Sequence, residues 1–479
     1  MSLNFAVLIK CRNFATSNLI LMFSRKKSDA LLEMIRNKQP MTGGQKMSLI
    51  VLLSVPGILA QMTSVLMFYI DAAMVGHLGA NESASIGLVE SSTWLFGSIT
   101  SAASMGFSVQ VAHFIGANDF CKARAVFRHA IICTLLLSLC VALVGVIISP
   151  HLPYWLGGGE EINHDATIYF MVFMFVMPFF QLASLSAAML KSSGDMRIPS
   201  VMSILMCIFD VAFNYIFIFV LDLGVLGAAI GTAIAIIIGA LGQAYFAVFR
   251  SKILALRHDK DGFHWVGDYV RNALKIASPM AAQSMLMGGA HVVSTIIVAP
   301  LDIFPIAANS FAITAESLCY MPGYGIGEAA TTLVGQSIGA GQYHLTKSFA
   351  RMTIFLGMAV MAFMGVVMYV LAPEMIGFLS PVDEIRQLGT TVLRIEAFAE
   401  PFFAASIVCY SICVGAGDTL RPALMNLGSM WLVRLILAAI LAPRYGLPGV
   451  WVAMAIELTF RGTIFLIRIF RGKWMKRFV

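Results

Sequence analysis

The stretch PFFQLASLSAAMLKSSGDMRIP at residues 178–199 is matched 223 residues later by PFFAASIVCYSICVGAGDTLRP at residues 401–422. Both copies begin with Pro-Phe-Phe, and both carry Gly-Asp and a closing Pro in the same register. The same shift lays Pro56 on Pro279. The chain is therefore a tandem duplication. An even number of membrane crossings in each copy makes the copies parallel repeats, and an odd number makes them inverted repeats.

Composition places those crossings in lipid. Hydrophobic residues make up 59% of the 479 residues, charged residues 12%, and the mean hydropathy is +0.85, which leaves too little polar surface for a water-soluble globule. Apolar runs long enough for a helical span lie near residues 48–74, 88–115, 127–149, 167–190, 198–221, 225–249, 273–299, 304–335, 350–372, 388–413, 423–442 and 448–470. We therefore predict an all-α integral membrane fold of twelve transmembrane helices, in two six-helix lobes related by a pseudo-two-fold axis.

The lysines and arginines give the orientation, because positive charge is retained on the cytoplasmic side during insertion. With the N-terminus inside, all of the 32 Lys and Arg lie in cytoplasmic segments except Arg386, Arg394, Arg434, Arg444 and Arg461. Both termini are thus predicted to be cytoplasmic. The predicted segments are an N-terminal segment over 1–47, an N-lobe over 48–249, an inter-lobe loop over 250–272, a C-lobe over 273–470 and a tail over 471–479.

The N-terminal segment holds a short apolar stretch at residues 19–23 among many basic residues. The stretch is too short to span a bilayer, and no small-residue cleavage site follows it, so we expect no cleavable signal peptide. Two interpretations stay open: an interfacial amphipathic anchor, or a start codon placed upstream of the true one, with Met34, Met41 or Met47 as later starts.

Several function classes lack their signatures. No Gly-rich loop of the nucleotide-binding type is present, which disfavours an ATP-driven pump. No basic cluster is interleaved with aromatics, so no nucleic-acid partner is expected. No nucleophile-base pair or metal cluster has helical spacing, so we predict neither an enzyme nor a bound cofactor. The cysteines lie in spans or on the reducing side, so a disulfide framework is not expected.

The chemistry is therefore sought in charges at membrane depth, which are costly to retain without a role. Asp71 lies in the outer part of span 1 and Asp210 lies midway along span 5. Asn214 follows Asp210 at i+4 and shares its helix face, and Thr232 lies in the outer part of span 6. These four side chains lie at similar depth in the outer leaflet and are predicted to form one site.

Two kinds of ion suit such a site. Two carboxylates in a poorly hydrated cavity can share a proton near neutral pH. Alternatively, the four oxygen-bearing side chains could bind a sodium ion. A third interpretation is structural: Asp71 would cap or cross-link helices through backbone groups or through a hydroxyl on the same face, such as Ser64, and Asp210 would likewise have a structural role.

A further set of motifs resembles the MATE (multidrug and toxic compound extrusion) transporters. The similarity covers nearly the whole chain from about residue 45 onward. The motifs are Pro56 followed by Asp71-Ala72-Ala73-Met74-Val75-Gly76-His77-Leu78-Gly79, Ala112-His113-Phe114-Ile115-Gly116-Ala117, Val334-Gly335-Gln336-Ser337-Ile338-Gly339-Ala340-Gly341, and Gly415-Ala416-Gly417-Asp418-Thr419 with Pro422. The resemblance implies two six-helix lobes in a V shape that export cationic or amphipathic organic compounds in exchange for protons or sodium.

The most similar branch is the one named after the bacterial DNA-damage-inducible carriers. Its N-lobe site implies roles in ion coupling for Asp71, Asp210, Asn214 and Thr232, although the amide and the carboxylate on span 5 are swapped here. The other bacterial branch uses acids on spans 7 and 10, where this chain has Met287 and Phe403. Coupling by that route is therefore not expected.

Other polar residues in the spans are secondary candidates. Gln61, Gln283 and Glu316 are candidates for a substrate cavity, and Arg434 could neutralise Glu316. Glu396 and Glu400, near the outer end of span 10, are expected to reach the interface or pair locally. Glu457 and Arg461 stand at i, i+4 in the favourable order for a helical ion pair.

The sequence therefore predicts a cation-coupled antiporter for small organic cations or zwitterions. We expect a monomeric, multi-pass protein of the plasma or inner membrane, with the proton as coupling ion and sodium as the alternative. The rival within the same superfamily is a flippase for lipid-linked precursors. Such carriers typically have fourteen spans and a basic cavity, whereas the N-lobe charges here are acidic.

Overall fold

The computed structural model describes residues 26–258, 264–301, 303–380 and 382–475, and the apolar stretch at 19–23 lies outside these ranges. Every regular element in the described residues is a helix. In chain order the helices are α1 (residues 26–36), α2 (Gly43–Gly76), α3 (Ala80–Gly116), α4 (Phe120–Ile148), α5 (Leu152–Trp155), α6 (Glu160–Ser192), α7 (Arg197–Tyr215), α8 (Gly224–Tyr245), α9 (Gly267–Val298), α10 (Ile303–Gly339), α11 (Tyr343–Leu379), α12 (Asp383–Ala397), α13 (Glu400–Gly415), α14 (Leu420–Gly428) and α15 (Leu435–Arg471).

Three of these helices continue through a π-helical turn. Ile216–Val220 extends α7, Phe246–Arg250 extends α8, and Ser429–Arg434 joins α14 to α15. Two breaks also matter. Helices α12 and α13 meet at a bend of 58° and together make one span. Gly446, at φ 62° and ψ −145°, interrupts α15 in a conformation that a residue with a Cβ rarely adopts.

The described chain has twelve membrane-length segments when α12 and α13 count as one span and α15 is divided at Gly446. By length and hydropathy alone, eight helices qualify as spans, or nine when the bent pair counts as one. Helices α3 and α10 are not among them, although each has 37 residues. Both are rich in small and hydroxyl-bearing residues, which suits helices that pack closely against each other. The twelfth segment arises because the continuous helical stretch Leu420–Arg471 is long enough for two spans, which the break at Gly446 separates.

The two copies of the repeat meet along α3 and α10, with the reciprocity expected of a pseudo-two-fold axis. A Cβ on Gly116 would overlap the carbonyl of Gln336, and a Cβ on Gly339 would overlap the carbonyl of His113. Gly116 and Gly339 are equivalent positions in the repeat. Glycine is therefore required at both positions, because the backbones of the two halves are in contact there.

Both described termini lie at one end of the molecule, here called the terminal end; the opposite end is the distal end. Leu32 of α1 packs with Phe349 of α11, and Trp474 packs with Ala350 of the same helix. Polar links also join the halves at this end. Lys191 Nζ lies 2.6 Å from Glu328 Oε1, and Gln336 Nε2 donates to the Ser192 carbonyl at 2.8 Å.

Helix α1 seals the seam between the halves at the terminal end. Leu31, Leu32 and Ile35 are buried against α2, α10 and α11. Its last carbonyls accept hydrogen bonds from loops in both halves: Gln342 Nε2 donates to Ile35 at 2.8 Å, and Asn118 Nδ2 donates to Arg36 at 3.1 Å. Helix α1 thus packs on protein across both halves.

Candidate functional site

The predicted ion-coupling residues meet in the distal half of the first copy, where α2, α7 and α8 pack together. Asp71 lies five residues before the end of α2 at Gly76. Asp210 and Asn214 lie one turn apart on the same face of α7, and Thr232 faces them from α8. The structure thus brings all four residues together.

Asn214 is the centre of this group. Its Nδ2 lies 3.1 Å from Asp71 Oδ1, 3.2 Å from Asp210 Oδ2 and 3.4 Å from Thr232 Oγ1. A side-chain amide has only two hydrogens to donate. The two shortest contacts therefore use both hydrogens, and Asn214 joins the two carboxyl groups.

The site is shielded from solvent and has no positive partner. Asp210 is fully buried and Asn214 is 2% exposed. Among the described residues, no Lys, Arg or His forms an ion pair with Asp71 or Asp210. In the described part of the chain, no protein donor contacts Asp210 Oδ1 or Asn214 Oδ1 while both carboxyl groups are ionised. The two carboxyl groups are close enough to hydrogen-bond each other when one of them carries a proton.

The local backbone explains why these side chains converge. Gly231 on α8 packs directly against Asn214, and an added Cβ would overlap the Asn214 side chain. The π-helical turn Ile216–Val220 follows immediately after this point on span 5. Such turns are often found at functional sites, because they shift the helical register locally.

The neighbourhood contains a small cavity and a third acid. Tyr169, Phe173 and Thr232 line a cavity of about 10 Å³, roughly the room that one water molecule needs. Tyr169 on α6 also lies within electrostatic range of Asp71, Asp210 and Glu90 of α3. Neither Glu90 nor Tyr169 was predicted from the sequence to belong to this site. The signal for Glu90 was present, since it is an acid inside an apolar span.

The second copy holds a different charged cluster. It contains four carboxyl groups and two guanidinium groups, from Glu316, Glu396, Glu400, Glu457, Arg434 and Arg461. The predicted pair is present: Arg461 Nε lies 3.1 Å from Glu457 Oε1, which also accepts a 2.6 Å hydrogen bond from Ser429. The charge of Arg434 interacts with Glu316, Glu396 and Glu457, without a direct ion pair in the described residues.

The expectation for Glu396 and Glu400 was wrong. Both are fully buried, and none of their four carboxyl oxygens has a hydrogen-bond partner within the ranges that the structure describes. The bend of 58° between α12 and α13 is the reason, because it turns the helix axis close to both residues and places them inside the second copy. Neither side chain reaches the interface.

The secondary candidates are dispersed. Gln61 lies toward the terminal end, where its Nε2 donates to Glu328 Oε1 at 3.1 Å. Glu328 is the acid that also pairs with Lys191 between the halves. Gln283 on α9 has a buried, unpartnered carbonyl oxygen. Glu316 is 5% exposed in the cluster of the second copy. These three residues do not form one group with the predicted ion-coupling residues, and a role in a substrate cavity stays a prediction.

The MatE family model matches two segments of the chain, residues 56–216 and 279–440, one in each copy of the repeat. The chain belongs to the MATE family of transporters. It is 26% identical to a probable multidrug resistance protein NorM of Thermotoga maritima, over 85% of this chain and 89% of that protein.

Solved MATE structures show the same fold. The structure of a MATE transporter in complex with MaL6 superposes with a TM-score of 0.84 at 19% identity, over 89% of this chain and 97% of that chain. A mutant of the Vibrio cholerae MATE transporter VcmN superposes with a TM-score of 0.83 at 15% identity, over 95% and 99% of the two chains. The prediction of twelve helices in two lobes is confirmed, and the protein is a transporter rather than an enzyme. Its branch within the MATE family stays a prediction.

Proposed function

We propose that this MATE protein is an antiporter that exports cationic or amphipathic organic compounds by alternating access, in exchange for protons. The observation that carries the proposal is the pair of carboxyl groups joined by Asn214 without a positive partner. The name of the Thermotoga relative supports a role in multidrug resistance. The substrates themselves are expected to be lipophilic cations and zwitterions, because the uncompensated charge in the first copy is negative.

The carboxyl pair explains how the two fluxes are coupled. Two adjacent acids in a medium of low dielectric constant resist ionising together, so at least one proton is shared between them. Loss of that proton leaves a negative charge, which attracts an organic cation. Proton and cation therefore compete for Asp71 and Asp210, and one must leave before the other binds.

Asn214 suits this competition because it is held between both acids. When either carboxyl group ionises, the Asn214 amide donates a charge-assisted hydrogen bond to it without moving far. The partnerless Asp210 Oδ1 is the atom at which we place the exchangeable proton.

Sodium is the alternative coupling ion, and one observation favours it. Asp210 Oδ1 and Asn214 Oδ1 are both oxygens without partners, and Thr232 adds a hydroxyl at 3.4 Å from Asn214. Hard cations of this kind bind oxygen ligands. A lipid-linked precursor flippase is disfavoured, because the coupling residues offer no basic group for a pyrophosphate.

The orientation and the division into lobes are parts of the same proposal. We place the terminal end in the cytoplasm, the N-lobe over 48–249 and the C-lobe over 273–470, in a monomer of the plasma or inner membrane. The closed contacts at the terminal end then give an outward-facing state. Cysteines introduced at positions 258 and 160 should be labelled by an impermeant reagent from opposite sides, and labelling of both from outside would contradict this orientation.

The central test uses everted membrane vesicles with the two ion gradients imposed separately. A proton gradient without sodium should drive uptake of ethidium by the wild type but not by Asp71→Asn. Asp268→Asn serves as the control, since Asp268 is an exposed acid in the first turn of α9. Uptake that requires sodium would overturn the proton assignment. Undiminished uptake by Asp71→Asn would remove Asp71 from the mechanism.

A further inference from the structure

Glu90 of α3 is an acid inside a membrane span that the coupling mechanism does not use. It lies ten residues from the distal end of α3 at Ala80, which corresponds to about 15 Å along the helix. The side chain is partly buried and forms no ion pair in the described residues. Its hydrogen-bond partner is Trp94, whose indole Nε1 donates to Glu90 Oε1 at 3.4 Å.

Trp94 is a large aromatic residue in an unusual place. It lies one turn deeper than Glu90, about 21 Å from the distal end of α3. Tryptophans of the interfacial belt lie at the level of the lipid headgroups, so depth separates Trp94 from that role. Its side chain is nevertheless 66% exposed, so no neighbouring helix covers it.

The helical periodicity of α3 shows which way Trp94 faces. Met105 packs with Ile276 of α9, and a Cβ on Gly106 would overlap the carbonyl of Ala273 on the same helix. Trp94 precedes Met105 by eleven residues, close to three full turns, so both lie on one face. The halves touch at Met105, and the exposure of Trp94 shows that α9 no longer covers this face of α3 three turns closer to the distal end.

Glu90 lies on a neighbouring face of α3, closer to α2, the helix that carries Asp71. Ile86, one turn nearer the distal end on this side of α3, packs with Val75 of α2. Glu90 therefore lies between the direction of α2 and the direction of α9. Gly97, two turns deeper and on nearly the same face as Glu90, lies against Phe180 of α6. Glu90 therefore lies beside α6, and Trp94 lies on the exposed flank of α3.

We propose that Glu90 and Trp94 form a binding subsite for flat aromatic organic cations on the exposed flank of α3. The subsite rests on the proposed export function. An indole face attracts a cation through its quadrupole, more strongly when water is excluded, and the adjacent carboxylate supplies the counter-charge. The negative charge of Glu90 and the flat face of the Trp94 indole together favour an aromatic monocation over a neutral compound of the same size.

The subsite is also placed to communicate with the coupling pair. Tyr169 interacts electrostatically with Glu90, Asp71 and Asp210, so the three carboxyl groups share one neighbourhood. Glu90 thus holds the organic cation in the neighbourhood of Tyr169, which also lies within electrostatic range of the coupling pair.

The test measures equilibrium binding of ethidium to the full-length protein in nanodiscs, by fluorescence. Glu90→Gln removes the charge and should raise the Kd for ethidium about tenfold. Binding of a neutral aromatic compound of similar size should not change. Trp94→Leu should raise the Kd for ethidium severalfold, and Trp94→Phe should restore part of the affinity, because phenylalanine keeps a weaker π face.

Controls separate the subsite from general damage. Glu161→Gln and Trp155→Leu change exposed residues of the same types and should bind ethidium like the wild type. Glu90→Asp keeps the charge and should retain most of the affinity, even if Glu90→Gln folds poorly. Equal ethidium affinity in the wild type and Glu90→Gln, or loss of affinity in Glu90→Asp with a normal Tm, would overturn the subsite and leave the export function standing. A wild type that binds no organic cation would overturn the export function itself.

Discussion

The two copies of the repeat bury acids in opposite ways. In the first copy, Asp71 and Asp210 share Asn214 and have no positive partner in the described residues. In the second copy, four glutamates are grouped with Arg434 and Arg461. The first copy thus holds an acid pair with no base beside it, whereas the second copy holds four acids that share two guanidinium groups and are compensated only in part. The difference teaches that the position of basic residues, and not the number of acids, distinguishes the two sites.

The largest effect should come from removing charge in the first copy. Asp71→Asn and Asp210→Asn should each reduce gradient-driven uptake of ethidium to the level of vesicles without the protein. Their Tm should stay equal to that of the wild type or rise, because an amide avoids burying a charge. Vesicle uptake and thermal unfolding of the purified variants measure the two quantities. A variant that keeps its transport would contradict the comparison.

The second effect concerns stability of the second copy. Arg434→Met leaves four buried acids with one guanidinium, and leaving a buried charge uncompensated costs roughly 3–5 kcal/mol of the free energy of unfolding. Thermal unfolding should show a clearly lower Tm. Arg444→Met is the control, since Arg444 is exposed, and it should change little. An unchanged Tm for Arg434→Met would mean that the glutamates do not depend on it.

The third effect concerns the position of the Asn214 side chain, which Gly231 allows. Gly231→Ala forces a methyl group into Asn214 and should cost about 1–3 kcal/mol through overpacking, with ethidium uptake reduced because Asn214 no longer joins the two acids. Gly288→Ala is the matched control: nothing lies within 4 Å of its added Cβ, so it should be neutral or slightly stabilising. Equal uptake by Gly231→Ala and Gly288→Ala would show that the position of Asn214 is not critical.

The smallest effect is expected where the copies meet. Lys191 and Glu328 form a partly exposed ion pair between the halves at the terminal end. Lys191→Met should lower stability by at most about 1 kcal/mol. It should also favour opening of this end, seen as faster labelling of a cysteine introduced at position 61. Unchanged labelling would mean that the backbone contacts at Gly116 and Gly339 keep the end closed by themselves.

Much of the fold was predictable because lipid imposes strict rules. A span must be apolar and about 20 residues long, so the twelve segments were visible in the sequence. The breaks were less visible. The bend between α12 and α13 buries Glu396 and Glu400, and no pattern in the sequence predicted that burial. The helical ion pair of Glu457 and Arg461 was predictable, because it depends only on spacing along one helix.

The candidate ion-coupling site was predictable in membership but not in geometry. Asp71, Asp210, Asn214 and Thr232 could be named because polar residues are rare and costly in spans. Glu90 and Tyr169 were missed, since their relation to the site depends on how α3 and α6 pack against α2 and α7.

The sequence by itself determined that this chain crosses a membrane twelve times in two related copies and holds acids at membrane depth. These properties follow from composition, period and spacing, which are local. Only the tertiary structure decided which acids stay unpaired, because charge compensation depends on helices far apart in the chain. Asn214 contacts Asp71 across 143 residues of sequence, and this contact exists only because the helices pack.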